Sequence, residues 1–211
     1  MQLQTYTKKE EAVHAITHGF GALLSIVGLM FLIADTPPDS DGKRMVAVLI
    51  FGITMFLMYL MSTIVHSLPQ GKWKTLFKTV DQAFIYLFIA GTYTPFLLML
   101  LPDNLGKTML MIVWGIAAAG ILLTIGFIKR FRVLSTCCYI FLGWLILFVW
   151  GPLTSAMHEN GVTLLMTGGL FYTIGTIFYL WRGFCYHHAV WHIFVLMGSG
   201  FHFFCIFHYV L

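Results

Sequence analysis

Five residues in this apolar chain have types and spacing that could do chemistry. "STIVH" puts Ser62 and His66 four positions apart, "HHAVWH" does the same for His188 and His192, and "TVDQAF" carries Asp81. Residues four apart lie on one face of a helix, about a turn apart. Three imidazoles from two helices, with a carboxylate and a hydroxyl, make the donor set of a catalytic zinc site. Such sites use three protein ligands and keep a fourth position for water or substrate. His187 cannot join His188 and His192, because it points about 100° around the helix from His188. His202 shares the face of His188 but stands roughly 21 Å further along it. Haem is the competing use, since paired histidines on facing helices ligate iron axially; that would be better served by pairs at both membrane faces. Each residue taken singly also has an ordinary role. Asp81 suits the first turn of a helix, Ser62 a bond back to its own helix, and His158, His187, His202 and His208 polar tips or interhelical hydrogen bonds.

The elements that must position these residues follow from composition. The 211 residues are 59% hydrophobic and 9% charged, with a mean hydropathy of +0.87. Soluble domains carry roughly 25% charged residues, so the chain reads as an all-α, polytopic membrane protein of one domain, 1–211. A bilayer core of about 30 Å takes roughly 20 apolar residues as helix. Seven runs qualify, at about 15–34, 45–65, 80–101, 108–128, 134–151, 162–181 and 188–210. Segments such as "DTPPDSDGK", "SLPQGKWK" and "GPLTSAMHENG" separate them. The polar start "MQLQTYTKKEEAVH" has no signal-peptide core, so the first span is expected to stay as an anchor.

Orientation comes from Lys and Arg. Nine fall in one set of loops (Lys8, Lys9, Lys72, Lys74, Lys78, Lys129, Arg130, Arg132, Arg182) and three in the other (Lys43, Arg44, Lys107). Asp35, Asp39 and Asp41 add acid to the poorer side. This puts the N-terminus in the cytoplasm and the C-terminus outside. Ser62, His66, Asp81, His188 and His192 then share the cytoplasmic end, joined there by Glu11, His14 and His18 of the first span. The net charge of +4 is a topology signal and does not suggest nucleic acid. Cys137, Cys138, Cys185 and Cys205 show no C-x-x-C pairing and read as small buried apolar residues. Pro95 frees the Gly91 carbonyl inside the third span, where Thr92 and Thr94 hydroxyls could satisfy what is lost. Gly115 and Ala119 form a small-xxx-small pair expected to admit a neighbouring helix.

At these residues the chain resembles the haemolysin III family, the bacterial branch of the progestin and adipoQ receptor superfamily. The resemblance rests on "EEAVHAITHGFGALLS", "STIVHS" with "VDQAFIYLFIAGTYTP", and "HHAVWHIFVLMGSGFHF". It implies a seven-transmembrane-helix bundle with a cytoplasmic N-terminus in the cytoplasmic (inner) membrane. It also implies zinc (Zn2+) held by His66, His188 and His192, with Asp81 and Ser62 beside a water on the metal. The superfamily is similar to the alkaline ceramidases, which implies hydrolysis of a membrane lipid amide or ester entering from the inner leaflet. Asp81 would take the proton of that water, and Ser62 would donate to the oxyanion or to the water. Where the family commonly has E-x-x-N, this chain reads Glu11-Ala-Val-His14. Glu11 and His14 are therefore candidate supporting residues; His14 is expected to replace an Asn hydrogen bond, the alternative being a titratable group added beside the site. A fourth ligand there would close the site.

Two other readings are open. A structural zinc would suit a lipid-responsive regulator or receptor-like protein. The family name suggests a pore, but no span shows a polar stripe along its full length.

Overall fold

The computed structural model describes residues 6–38, 42–127 and 132–211; Asp39, Asp41, Lys129 and Arg130 lie outside them, as does the side chain of Arg132. The described residues are helical, with no strand among them: α1 (Lys8–Asp35), α2 (Gly42–Ser67), α3 (Lys72–Met99), α4 (Asp103–Phe127), α5 (Arg132–Gly143), a 3₁₀ segment (Trp144–Val149), α6 (Trp150–Ala156), α7 (Glu159–Leu180) and α8 (His187–Tyr209). α5, the 3₁₀ segment and α6 together make one crossing, so seven spans are long and apolar enough to cross a membrane.

The observed helices overrun the apolar windows wherever polar residues begin a helix. α1 starts at Lys8 because Thr7 caps it: its hydroxyl accepts from the Glu10 N–H at 3.2 Å, and Glu10 Oε2 accepts from the Thr7 N–H at 2.9 Å. This reciprocal pairing satisfies two otherwise orphaned donors. The other Glu10 oxygen accepts from the backbone N–H of Tyr186 at 3.1 Å. The start of the first helix is thus tied to the residue that opens the last. Tyr186 has φ 63°, a left-handed conformation that turns the chain sharply into α8.

α3 starts at Lys72, eight residues before its apolar window. Asp81 is therefore nine residues into the helix, about 13 Å from its start. That corrects the expectation of a first-turn residue, and the helix-dipole role for Asp81 lapses with it.

Successive crossings pack as antiparallel neighbours, most extensively α1 with α2, α2 with α3, α3 with α4 and α7 with α8; α8 also meets α1 and α3, which closes the ring. α3 is the most enclosed helix. Its Gly91 lets α2 approach so closely that a Cβ there would collide with the Thr54 hydroxyl. The Thr92 and Thr94 hydroxyls bond the carbonyls of Phe88 and Ala90, at 2.8 and 3.0 Å, rather than that of Gly91. Gly115 and Ala119 face outward, and among the described residues nothing lies within 4 Å of a Cβ built at Gly115, so they seat no described helix. Among the cysteines only Cys205 is buried; Cys137 and Cys185 are exposed and Cys138 is intermediate.

The 3₁₀ segment has an identifiable cause. The Tyr93 hydroxyl accepts from the Ile146 N–H at 2.9 Å and lies 2.9 and 2.7 Å from the carbonyls of Leu142 and Gly143. It occupies the place where Ile146 would bond Leu142 in an α-helix. A side chain inserted into the i→i−4 ladder is a known way to interrupt a helix.

Candidate metal centre

α1, α3 and α8 begin, and α2 ends, at one end of the bundle. His66, His188 and His192 each bring a ligand atom within 4.8 Å of the other two, and Glu11, His14 and His66 form a second such group. The two groups share His66. His192 is 1% exposed and His14 0%, so the cluster lies inside the protein.

Two of the imidazoles are oriented by acceptors on α1. His66 Nδ1 lies 2.7 Å from Glu11 Oε2. A carboxylate only accepts, so His66 Nδ1 carries the hydrogen and Nε2 keeps its lone pair. His192 Nδ1 lies 3.0 Å from Thr17 Oγ1. The Thr17 hydroxyl has one proton, and it points to the carbonyls of Val13 and His14, both at 2.9 Å. Thr17 therefore accepts from His192, whose Nε2 is likewise left with a lone pair. Holding Nδ1–H on an outer acceptor is how metal-ligating histidines are commonly fixed in tautomer and direction. The donor set fits a zinc ion: neutral imidazoles from two helices, aimed by α1.

The other Glu11 oxygen pairs with Lys74 Nζ at 2.7 Å. His18 lies flat on His192, ring centroids 3.5 Å apart and planes 9° apart, and its Nδ1 is 2.7 Å from Ser62 Oγ. Ser62 is thus bonded to His18, not to its own helix. Tyr6 covers the cluster, 4.7 Å from the His14 ring and 5.4 Å from that of His188, centroid to centroid. Asp81 stays outside both groups but lines the same cavity as His66, His188 and His192.

That cavity, ≈ 230 Å³, runs from the histidines past Phe88 and Trp144 to His202. The fourteen positions of α8 between His188 and His202 correspond to roughly 21 Å. His202 Nε2 meets the Leu165 carbonyl at 3.0 Å, an interhelical bond from α8 to α7. His187 is buried and its Nδ1 meets the Phe178 carbonyl at 2.9 Å. His158 accepts from the Asn160 N–H as the cap of α7, and His208 is exposed.

His14 departs from expectation. Neither of its ring nitrogens has a hydrogen-bond partner among the described residues, so it does not stand in for a hydrogen-bonding Asn. Thr17, Lys74 and Tyr6 were not singled out from the sequence. Thr17 had a signal: Glu11, His14, Thr17 and His18 recur at helical spacing on the flank of α1 that meets α2 and α8.

Seven apolar helices closed around buried histidines at one end define a polytopic membrane protein with a candidate metal centre. The chain belongs to the haemolysin III family: a family model described as Haemolysin-III related matches residues 6–203. It is similar to Hemolysin-3 of Bacillus cereus, 46% identical over 211 residues, covering 100% of this chain and 96% of that one. The Hemolysin-3 homolog of Bacillus subtilis (strain 168) is 47% identical over 204 residues, 97% of this chain and 96% of its own. More distantly, the human Monocyte to macrophage differentiation factor is 28% identical over 209 residues, 95% of this chain and 84% of its own. No solved structure matches the chain.

Proposed function

We propose that the protein is a zinc-dependent hydrolase of a lipid amide or ester, working at the cytoplasmic end of the bundle in the bacterial cytoplasmic membrane. The observation that carries this reading is the convergence of His66, His188 and His192 within 4.8 Å, with two Nδ1 atoms engaged so that Nε2 is available. The apolar length of the adjoining cavity supports an acyl chain as the part of the substrate bound there. The excess of Lys and Arg on the loops of that end supports its cytoplasmic placement. On the opposite end Lys43 and Lys107 both pair with Asp103, at 3.0 and 3.2 Å, which lowers the net positive charge there.

Bound zinc polarises a carbonyl and lowers the pKa of water to about 7. The residues of the chain divide the remaining work. Glu11 and Thr17 hold the imidazoles of His66 and His192 in register. Asp81, which lines the same cavity, accepts the proton of the attacking water and returns it to the leaving amine or alkoxide. When His18 Nδ1–H donates to Ser62, the Ser62 hydroxyl proton is left for the oxygen that gains charge. Apolar residues such as Phe88 and Ile89 keep bulk water from the acyl chain.

The test is metal content and turnover together. Purified protein should hold one zinc, lose it in His66→Ala, and cleave members of a panel of N-acyl and O-acyl lipids. Zinc-replete protein inert toward the whole panel would remove the hydrolase reading. The second reading, a lipid-responsive regulator with structural zinc, is favoured by one observation, the crowding of His14 against the three histidines. It expects bound lipid to be recovered intact.

A further inference from the structure

We propose that His14 is a fourth imidazole of the metal centre, so that the resting ion is held by His14, His66, His188 and His192. This rests on the reading that the other three bind a metal. The first observation is the shape of the cluster. The six ring-centroid separations among these residues are 4.8, 4.9 and 5.5 Å from His14 to His66, His188 and His192, then 5.2, 5.2 and 4.6 Å for the remaining pairs. Four points so nearly equidistant are the corners of a tetrahedron. A nitrogen–zinc bond of about 2.0–2.1 Å puts each ring centre about 3.2 Å from the ion, and tetrahedral geometry then spaces the centres by about 5.2 Å. The four ring centres are spaced as a four-imidazole zinc site requires, while the ligand atoms that already lie within 4.8 Å of one another are those of His66, His188 and His192.

The second observation is the state of His14 itself. It is 0% exposed, and both ring nitrogens lack a hydrogen-bond partner among the described residues. Leaving a buried polar group unsatisfied is unfavourable, and an ion between the rings removes that penalty for one nitrogen. The ring centre is already in place, and rotation about the Cβ–Cγ bond, which is broad for histidine, aims the nitrogen.

A separate ion shared by Glu11, His14 and His66 is the competing arrangement. Both Glu11 oxygens are engaged, one by Lys74 and one by His66, each at 2.7 Å. A second cation would have to displace an ammonium and a hydrogen bond. One ion with four imidazoles disturbs neither contact.

Four protein ligands leave no open position. His14 then acts as an internal plug, and any chemistry at the ion waits for it to swing away.

The test is X-ray absorption at the zinc edge on full-length, zinc-loaded protein, with zinc affinity measured by chelator competition. Wild type should show four imidazole ligands. His14→Asn should show three imidazoles plus an oxygen donor that lacks the outer-shell ring scattering of an imidazole, with affinity lower by at least about tenfold. His14→Gln repeats the comparison if the Asn variant does not fold. Three imidazoles in wild type, or identical spectra in wild type and variant, would overturn the proposal. Separately, zinc retained at full stoichiometry in His66→Ala would refute the underlying site, whereas zinc lost in His66→Ala but unaffected in His14→Asn would refute only the role of His14.

Discussion

Glu11 on the first helix holds His66 on the second, carboxylate oxygen to Nδ1 at 2.7 Å, while its other oxygen takes the Lys74 ammonium of the third at the same distance. One side chain thus fixes the direction of an imidazole and is itself fixed by an ion pair. The contact joins three of the four helices that surround the cluster. Glu11→Ala should leave the protein folded and lower zinc affinity about tenfold to a hundredfold, the usual loss when the support of a metal-binding histidine is removed. Chelator competition reads this directly. An affinity equal to wild type would mean that His66 needs no such support.

Thr17 does the same for His192. Thr17→Val keeps the side-chain shape and removes the acceptor, which leaves a buried Nδ1–H unpaired at a cost of about 1–3 kcal/mol. Zinc affinity and thermal stability should both fall, and Thr17→Ser, which restores the hydroxyl, should recover both. Failure of the serine variant to recover them would assign the loss to packing.

Asp81 separates hydrolysis from a structural metal. Asp81→Asn should keep its zinc and lose about 10²- to 10⁴-fold in turnover of the cleaved lipid, the range for loss of a general base. Equal turnover in the variant would remove Asp81 from the chemistry.

Tyr93→Phe tests the cause of the broken fifth crossing. Without the phenol, the Ile146 N–H can bond Leu142 again, so residues 144–149 should relax toward α-helix. Backbone carbon chemical shifts of residues 144–149, which separate α-helix from 3₁₀ geometry, would report the change. Persistence of the 3₁₀ pattern in the variant would place its cause elsewhere.

Much of this was legible in the sequence, and the exceptions share a reason. Seven crossings follow from hydropathy because a bilayer sets a length, and the i, i+4 spacing of His188 and His192 follows from the helix. Starts such as Lys8 and Lys72 do not, because capping and polar turns lie beyond the apolar window. The break at 144–149 was invisible because its cause, Tyr93, is about fifty positions away in another helix. His14 was misread for a similar reason. A histidine in place of an asparagine suggests a hydrogen bond, and only the three-dimensional surroundings show that neither nitrogen has one. The cysteines misled because an apolar run in a membrane protein has a face turned to lipid as well as one turned inward.

The clasp between Glu10 and the Tyr186 backbone joins positions 176 residues apart, and the histidine cluster is assembled from the same two extremities of the chain. A polypeptide still emerging from the ribosome carries His14, His18 and His66 long before His188 and His192 exist. The complete donor set appears only when the seventh crossing has been inserted and has docked beside the first. Under the metal reading proposed above, a copy truncated before α8 would lack two of the three histidines that converge and could not assemble the site.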